Sequence, residues 1–167
     1  MANVWLIPGT DTKNIERINL LHPQVRKMAL SMINNCFDTH SIYLRVTQGL
    51  RTVAEQDTLY ALGRTAPGKK VTNAKGGKSW HNYGLAFDVV ILDSRGKAVW
   101  DTNDSRWKKV CDAGIAAGLS QIQITNGKIK WLDVPHFEWH PGLTITQAHT
   151  IYKQHLNIKD VWGELTL

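Results

Sequence analysis

Two short stretches of the chain concentrate the side chains that could do chemistry. In the first, Ser79 to Asp88, His81 and Asp88 stand seven residues apart, across Gly84 and into an apolar run. The second, Asp133 to His140, carries Asp133, His136, Glu138 and His140. A lone carboxylate in an apolar strand is costly to bury unless it is paired or bound to a metal. His81, Asp88 and His136 together offer two imidazoles and a carboxylate. That is the donor set of a hydrolytic zinc site, with a fourth position for water. Zinc brings the pKa of bound water to near ~7. Asp133, three residues before His136 with the stiff Pro135 between them, is then placed as the carboxylate that takes the water's proton. Spacing alone leaves a second reading open, in which His81 and Asp88 form a buried hydrogen-bonded pair and His136 is a half-exposed strand residue. The helical His-Glu-x-x-His metalloprotease motif is absent.

The elements that must hold these residues can be read from periodicity. Leu85 to Ile91 has strand composition with one charge in it. Upstream, Ile15 to Cys36 reads as a helix restarted at Pro23, with Val25, Met28, Ala29, Met32 and Ile33 as its apolar stripe. His22 reads as a cap or surface residue. Ser41 to Gln48 alternates as a strand and ends at Gly49. Thr52 and Glu55 form a capping box that opens a helix from about Val53 to Leu62. Arg51, between strand end and helix start, is either half of a surface salt bridge or a fixed guanidinium facing a carboxylate or oxyanion. Gly63 to Lys78 is a long Gly- and Lys-rich loop, a length often tied to function.

Asp93 to Lys97 reads as a hairpin turn and Ala98 as the start of a return strand. Ser105 to Ala117 is predicted helical, with Trp107, Val110, Cys111 and Ile115 facing inward and Gly118 closing it. Asn126-Gly127 sits between two alternating runs, a two-residue hairpin signal. In the alternation His136, Glu138, His140 the three share one strand face, and His140, a second candidate ligand, is placed on the substrate side of the site or at the surface, with direct contact to the metal as the alternative. Pro8-Gly9 marks a turn, Thr146 to Leu156 reads as a helix, and Trp162 is expected to pack the tail onto the core. His40, His149 and His155 read as surface residues. These readings give an α+β fold: helices on one side of a mixed or antiparallel sheet, with the chemistry on the sheet's edge and in loops.

The bulk composition sets bounds. With 167 residues, 43% hydrophobic and 20% charged, the chain is expected to form a single domain over residues 1–167. The net charge of +6 favours a polyanionic partner. The basic residues are scattered, however, apart from Lys69, Lys70, Lys75 and Lys78. No nucleic-acid recognition motif accompanies them, so no nucleic-acid partner is expected. No apolar run reaches the ~20 residues of a membrane helix, and the start lacks the pattern of a secretory signal. Cys36 and Cys111 are expected as reduced, partly buried thiols.

The motifs taken together resemble one group. Leu21-His22-Pro23, Val46 through Thr52, Glu55-Gln56, Leu59-Tyr60, Gly63-Arg64-Thr65 and Val71 through Ala74 are followed by Ser79-x-His81-x-x-Gly84-x-Ala86-x-Asp88 and Asp133-x-Pro135-His136-Phe137. In this order they are similar to the zinc D-alanyl-D-alanine carboxypeptidase and L-alanyl-D-glutamate endopeptidase superfamily (VanY-like), and most of all to its phage endolysin branch. The resemblance implies a DD-peptidase-like (Hedgehog-like) α+β fold carrying one zinc ion per chain. It implies a zinc metallopeptidase that cuts the stem peptides of bacterial peptidoglycan, as an L-alanyl-D-glutamate endopeptidase in host cell lysis. By motif position, His81, Asp88 and His136 are the zinc ligands and Asp133 is the general base. Arg51 polarises the scissile carbonyl, and Ser79, Gln56 and His140 contact substrate. A monomer is expected, held in the host cytoplasm until the membrane is permeabilised and then acting on the wall. Alternatives are a D-alanyl-D-alanine carboxypeptidase or dipeptidase of the same fold, and a non-catalytic zinc domain that binds wall. One departure bears on the cleft's outer wall and not on the metal centre: relatives often carry Trp-Gly-Gly before the Asp-x-Pro-His piece, and this chain has Gln121 to Trp131 there.

Overall fold

A computed structural model of the protein describes residues 10–121, 123–125 and 129–154. The expected turn at Pro8-Gly9, the Asn126-Gly127 turn, His155 and Trp162 lie outside the described residues.

The chain builds a central strand first and covers it afterwards. Strand β2 (Ala86–Leu92) is apolar except for Asp88 and is buried at six of its seven positions. Strand β1 (Tyr43–Gln48) pairs antiparallel with it along one side, Tyr43 opposite Leu92 and Gln48 opposite Asp88. On its other side β2 pairs with β3 (Ala98–Val99) at its C-terminal end. At its N-terminal end it pairs with β6 (His136–Glu138), Asp88 opposite His136. All these pairs are antiparallel. The strand bearing Asp88 is therefore central, which corrects the expected edge position for that residue, whereas His136 lies on β6, which pairs with β2 alone among the named strands, and His81 lies in a turn. Strands β4 (Gln123–Thr125) and β5 (Ile129–Leu132) form a separate two-stranded antiparallel sheet.

Helices close the layers. Asp11 caps α1 (Thr12–Asn19) by accepting from the backbone N–H of Lys13 and Asn14, and its other oxygen holds Arg45 of β1 at 2.7 Å. Buried Asn14 donates to the Leu44 carbonyl at 2.9 Å and accepts from Val46 N–H at 2.6 Å. The open edge of β1 is thereby satisfied by a side chain rather than left as a pairing template. Helix α2 (Pro23–His40) starts where Pro23 predicts. His22 is its cap, accepting from Gln24 N–H at 3.1 Å, and it is buried rather than on the surface. The stripe Val25, Ala29, Met32, Ile33 and Cys36 is buried, and Met28 packs at its margin.

Helix α3 (Val53–Ala61) has the full capping box. Thr52 Oγ1 accepts from Glu55 N–H, and Glu55 Oε2 accepts from Thr52 N–H at 2.8 Å. Helix α4 (Arg106–Ala116) buries Trp107, Val110 and Cys111, but Ile115 is 61% exposed and does not belong to its inner face. Gly114 of α4 presses against Phe137: a Cβ there would meet the ring at 2.2 Å, so the helix can approach β6 only with glycine at this point. Helix α5 (Ile145–Gln154) brings His149 against Tyr83, whose hydroxyl lies 2.9 Å from His149 Nδ1, so this histidine is part of the packing. Cys36 and Cys111 are free and buried, and burial, with a contribution from Cys111, pushes the Cys36 thiol up to about 11.

Candidate metal centre

Three separate stretches deliver the site. The first is the chain leaving β1. Backbone bonds tie it to the 3₁₀ turn Trp80–Tyr83: Arg51 N–H donates to the His81 carbonyl at 2.9 Å, and Asn82 Nδ2 donates to the carbonyls of Arg51 and Thr52. Gly84 then ends the turn in the left-handed region, φ 65°, and a Cβ there would press on the Leu20 carbonyl at 3.1 Å. This reversal feeds β2 and sets Asp88 under His81. The third stretch is the turn Asp133 to His136, closed by His136 N–H donating to the Asp133 carbonyl at 2.9 Å. The Pro135 carbonyl accepts from Val89 N–H, docking the turn on β2.

The three donors meet. His136 Nδ1 lies 2.9 Å from Asp88 Oδ1 and 3.3 Å from His81 Nε2, and His81 Nε2 lies 3.5 Å from Asp88 Oδ1. His81 and His136 are both buried. Three ligand atoms held about 2.0–2.1 Å from one tetrahedral ion are about 3.3 Å apart. The observed triangle has that size, so this donor set fits a single ion. The ring nitrogens turned away from the centre are also engaged. His81 Nδ1 is 2.8 Å from the Gly49 carbonyl, and His136 Nε2 is 3.1 Å from Glu138 Oε2. Such outer contacts set the tautomer of a metal-binding imidazole.

Burial opposes ionisation of Asp88, but hydrogen bonds from His136 and His81 outweigh it and hold the carboxyl well below the usual range. Burial pulls His136 down, and the contacts with Asp88 and Glu138 override this and push it up to about 9. Burial of its carboxyl raises the pKa of Asp133, although the residue as a whole is exposed; His136 opposes the rise, Asp88 adds to it and His81 opposes it. A carboxylate raised in this way is suited to accept a proton.

Arg51 reaches the same centre. Its Nη2 lies 3.9 Å from Asp88 Oδ2, and its Nη1 donates to Gln56 Oε1 at 2.7 Å. Arg51 Nε is buried with no hydrogen-bond partner among the described residues. Burial lowers the pKa of the guanidinium, with Asp88 and Glu55 opposing. The surface salt bridge considered for Arg51 is therefore set aside. Gln56 is a second correction. It is fully buried, and its amide nitrogen donates to the Ala74 carbonyl at 2.7 Å and to Thr72 Oγ1 at 3.2 Å. Its polar atoms serve Arg51 and the 63–78 loop, not a substrate. Ser79 is half-buried just before the 3₁₀ turn. His140 lies past the end of β6, exposed, stacked on Trp80 with ring centroids 5.0 Å apart.

The family model described as VanY, D-alanyl-D-alanine carboxypeptidase, matches residues 18–132. The chain belongs to this family. The family match spans Arg51, Gln56, Ser79, His81 and Asp88 and stops one residue before Asp133; beyond its end, the geometry brings His136 to His81 and Asp88. The chain is 35% identical over 130 residues to the peptidoglycan L-alanyl-D-glutamate endopeptidase CwlK of Bacillus subtilis (strain 168), covering 73% of this chain and 75% of that one. Among solved structures it is similar to the Serratia marcescens L-Ala D-Glu endopeptidase ChiX, with TM-score 0.54 and 19% identity over 77% of this chain and 86% of that chain. It is also similar to the LdcB LD-carboxypeptidase, with TM-score 0.53 and 20% identity over 86% of this chain and 76% of that chain. At these identities the two structures speak for the fold. Within this family's fold, the residue the sequence reading passed over is Glu138. Its one sequence signal was the alternation that put it on the face of His136.

Proposed function

We propose that the protein is a zinc-dependent peptidase that cuts the L-Ala–D-Glu bond in the stem peptides of peptidoglycan, with one zinc per chain. The observation that carries this reading is the convergence of His81 Nε2, Asp88 Oδ1 and His136 Nδ1, all within 4.8 Å of one another. The identity to a peptidoglycan L-alanyl-D-glutamate endopeptidase supports the choice of bond. Bound there, zinc supplies Lewis-acid polarisation and makes water nucleophilic near neutral pH.

The rest is done by the chain's own groups. Asp133 takes the proton of the attacking water and returns it to the leaving amine. Arg51, fixed by Gln56, aims its guanidinium at the carbonyl oxygen, where charge develops. Ser79 and His140 line the substrate side. The net charge of +6 suits a polymer rich in carboxylates. We place the protein as a phage-type endolysin, held in the host cytoplasm and acting on the wall once the membrane is breached. No helix among the described residues is long and apolar enough to cross a membrane.

A second reading, D-alanyl-D-alanine carboxypeptidase, is favoured by the description of the matching family. Digestion of purified peptidoglycan separates the two. New amino-terminal glutamate is expected from the endopeptidase. Release of free D-alanine with no new glutamate amino termini contradicts it and supports the carboxypeptidase.

A further inference from the structure

We propose that Glu138 is a positioning residue that presents His136 to the metal, and that His140 holds Glu138 in place; the inference rests on the zinc reading above. Glu138 is only 7% exposed. Its backbone is pinned in both directions to Ser120, N–H to carbonyl and carbonyl to N–H, each at 2.8 Å. Its carboxylate is spread between two imidazoles: Oε2 stands 3.1 Å from His136 Nε2, and Oε1 stands 3.2 Å from His140 Nε2.

A neutral imidazole carries one proton, and the partner of one nitrogen decides where it sits. Glu138 is an acceptor, so the proton belongs on His136 Nε2. The lone pair of Nδ1 is then directed at the point shared with Asp88 Oδ1 and His81 Nε2. Without Glu138, a neutral His136 is free to keep its one proton on Nδ1, donating to Asp88, and that tautomer blocks the metal. Gly49 does the same for His81 with a backbone carbonyl. Glu138 does more than this, because its second oxygen reaches His140, whose ring stacks on Trp80 at an interplanar angle of 24°. Trp80 immediately precedes His81. The path His136–Glu138–His140–Trp80 thus braces β6 against the turn that carries the other imidazole.

The test is zinc affinity of the metal-stripped full chain, measured by competition with a chromophoric chelator. Glu138→Leu keeps much of the volume and has no acceptor; its zinc affinity is expected to fall about 10–100-fold with the near-ultraviolet dichroism unchanged. Glu138→Gln keeps an acceptor oxygen and is expected to recover most of that loss. His140→Phe keeps the stack on Trp80 but cannot donate, and a loss of less than about tenfold is expected. If the leucine variant does not fold, Glu138→Asp carries the test, since it draws the carboxylate back while keeping its charge; a several-fold loss is expected. Wild-type affinity in a folded leucine or aspartate variant overturns the role of Glu138. A wild-type chain that binds no zinc overturns instead the reading on which it rests.

Discussion

Asp88 and His136 are cross-strand partners, opposite each other on β2 and β6, with Oδ1 2.9 Å from Nδ1. The pairing sets two donors on one face of the sheet through backbone register, before any metal arrives. Asp88→Asn keeps the shape and removes the charge. Its zinc affinity is expected to fall by more than about a hundredfold, beyond the range for an outer contact. Equilibrium dialysis against zinc checks this, and retention of one tightly held zinc speaks against Asp88 as a ligand.

Asp133 shares a turn with His136 but offers no atom to the convergent triangle. Asp133→Ala is therefore expected to keep zinc and to lose about 10²–10⁴-fold in kcat on purified wall. Zinc content and kcat measured on the same preparation separate the outcomes. Wild-type turnover in a zinc-loaded alanine variant assigns the base elsewhere.

Gln56 ties the 63–78 loop to Arg51 through hydrogen bonds of 2.7 Å on both sides of its amide. Gln56→Leu leaves a half-buried guanidinium and a half-buried carbonyl without their Gln56 partner. A loss of about 1–3 kcal/mol in stability is expected, together with reduced kcat/KM and unchanged zinc affinity. Chemical denaturation, kinetics and zinc titration on the one variant test all three. A variant that loses zinc as well contradicts the assignment of Gln56 to Arg51 rather than to the metal.

In the metal-free protein, His136 is raised from 6.5 to about 9. Zinc needs its Nδ1 lone pair, so below about pH 9 binding must release a proton. Zinc affinity is therefore expected to rise about tenfold per pH unit on approaching pH 9 from below, and to flatten above it. For folding the sign is opposite. The raised pKa contributes stability that is present below 6.5 and is lost as pH climbs through about 9. Calorimetry in buffers of different ionisation enthalpy reads the released proton. Binding without proton release near neutral pH contradicts the charged His136.

Local signals were legible in the sequence, and so was the meeting of His81, Asp88 and His136, but the hydrogen-bond partners around them were not. Pro23 and the pair Thr52 and Glu55 announce helix starts because capping is settled within four residues. Asp88 stands out because one charge interrupts an apolar strand, and a buried charge demands a partner. Gln56 looked like a substrate contact because nothing near it in sequence reveals Ala74 or Thr72 as its acceptors. Glu138 was placed on the right face by alternation. That it divides its carboxylate between His136 and His140 depends on where the chain turns after β6. Ile115 fits the helical stripe by spacing and is exposed, because periodicity gives the direction of a side chain but not how far the neighbouring elements extend.

The most direct measurement is mass spectrometry of the fragments released from purified peptidoglycan by the metal-stripped chain, before and after one equivalent of zinc is returned. The account predicts no cleavage without metal, and with it fragments that begin at glutamate. Equal cleavage in the presence of excess chelator, or fragments that never begin at glutamate, would contradict it.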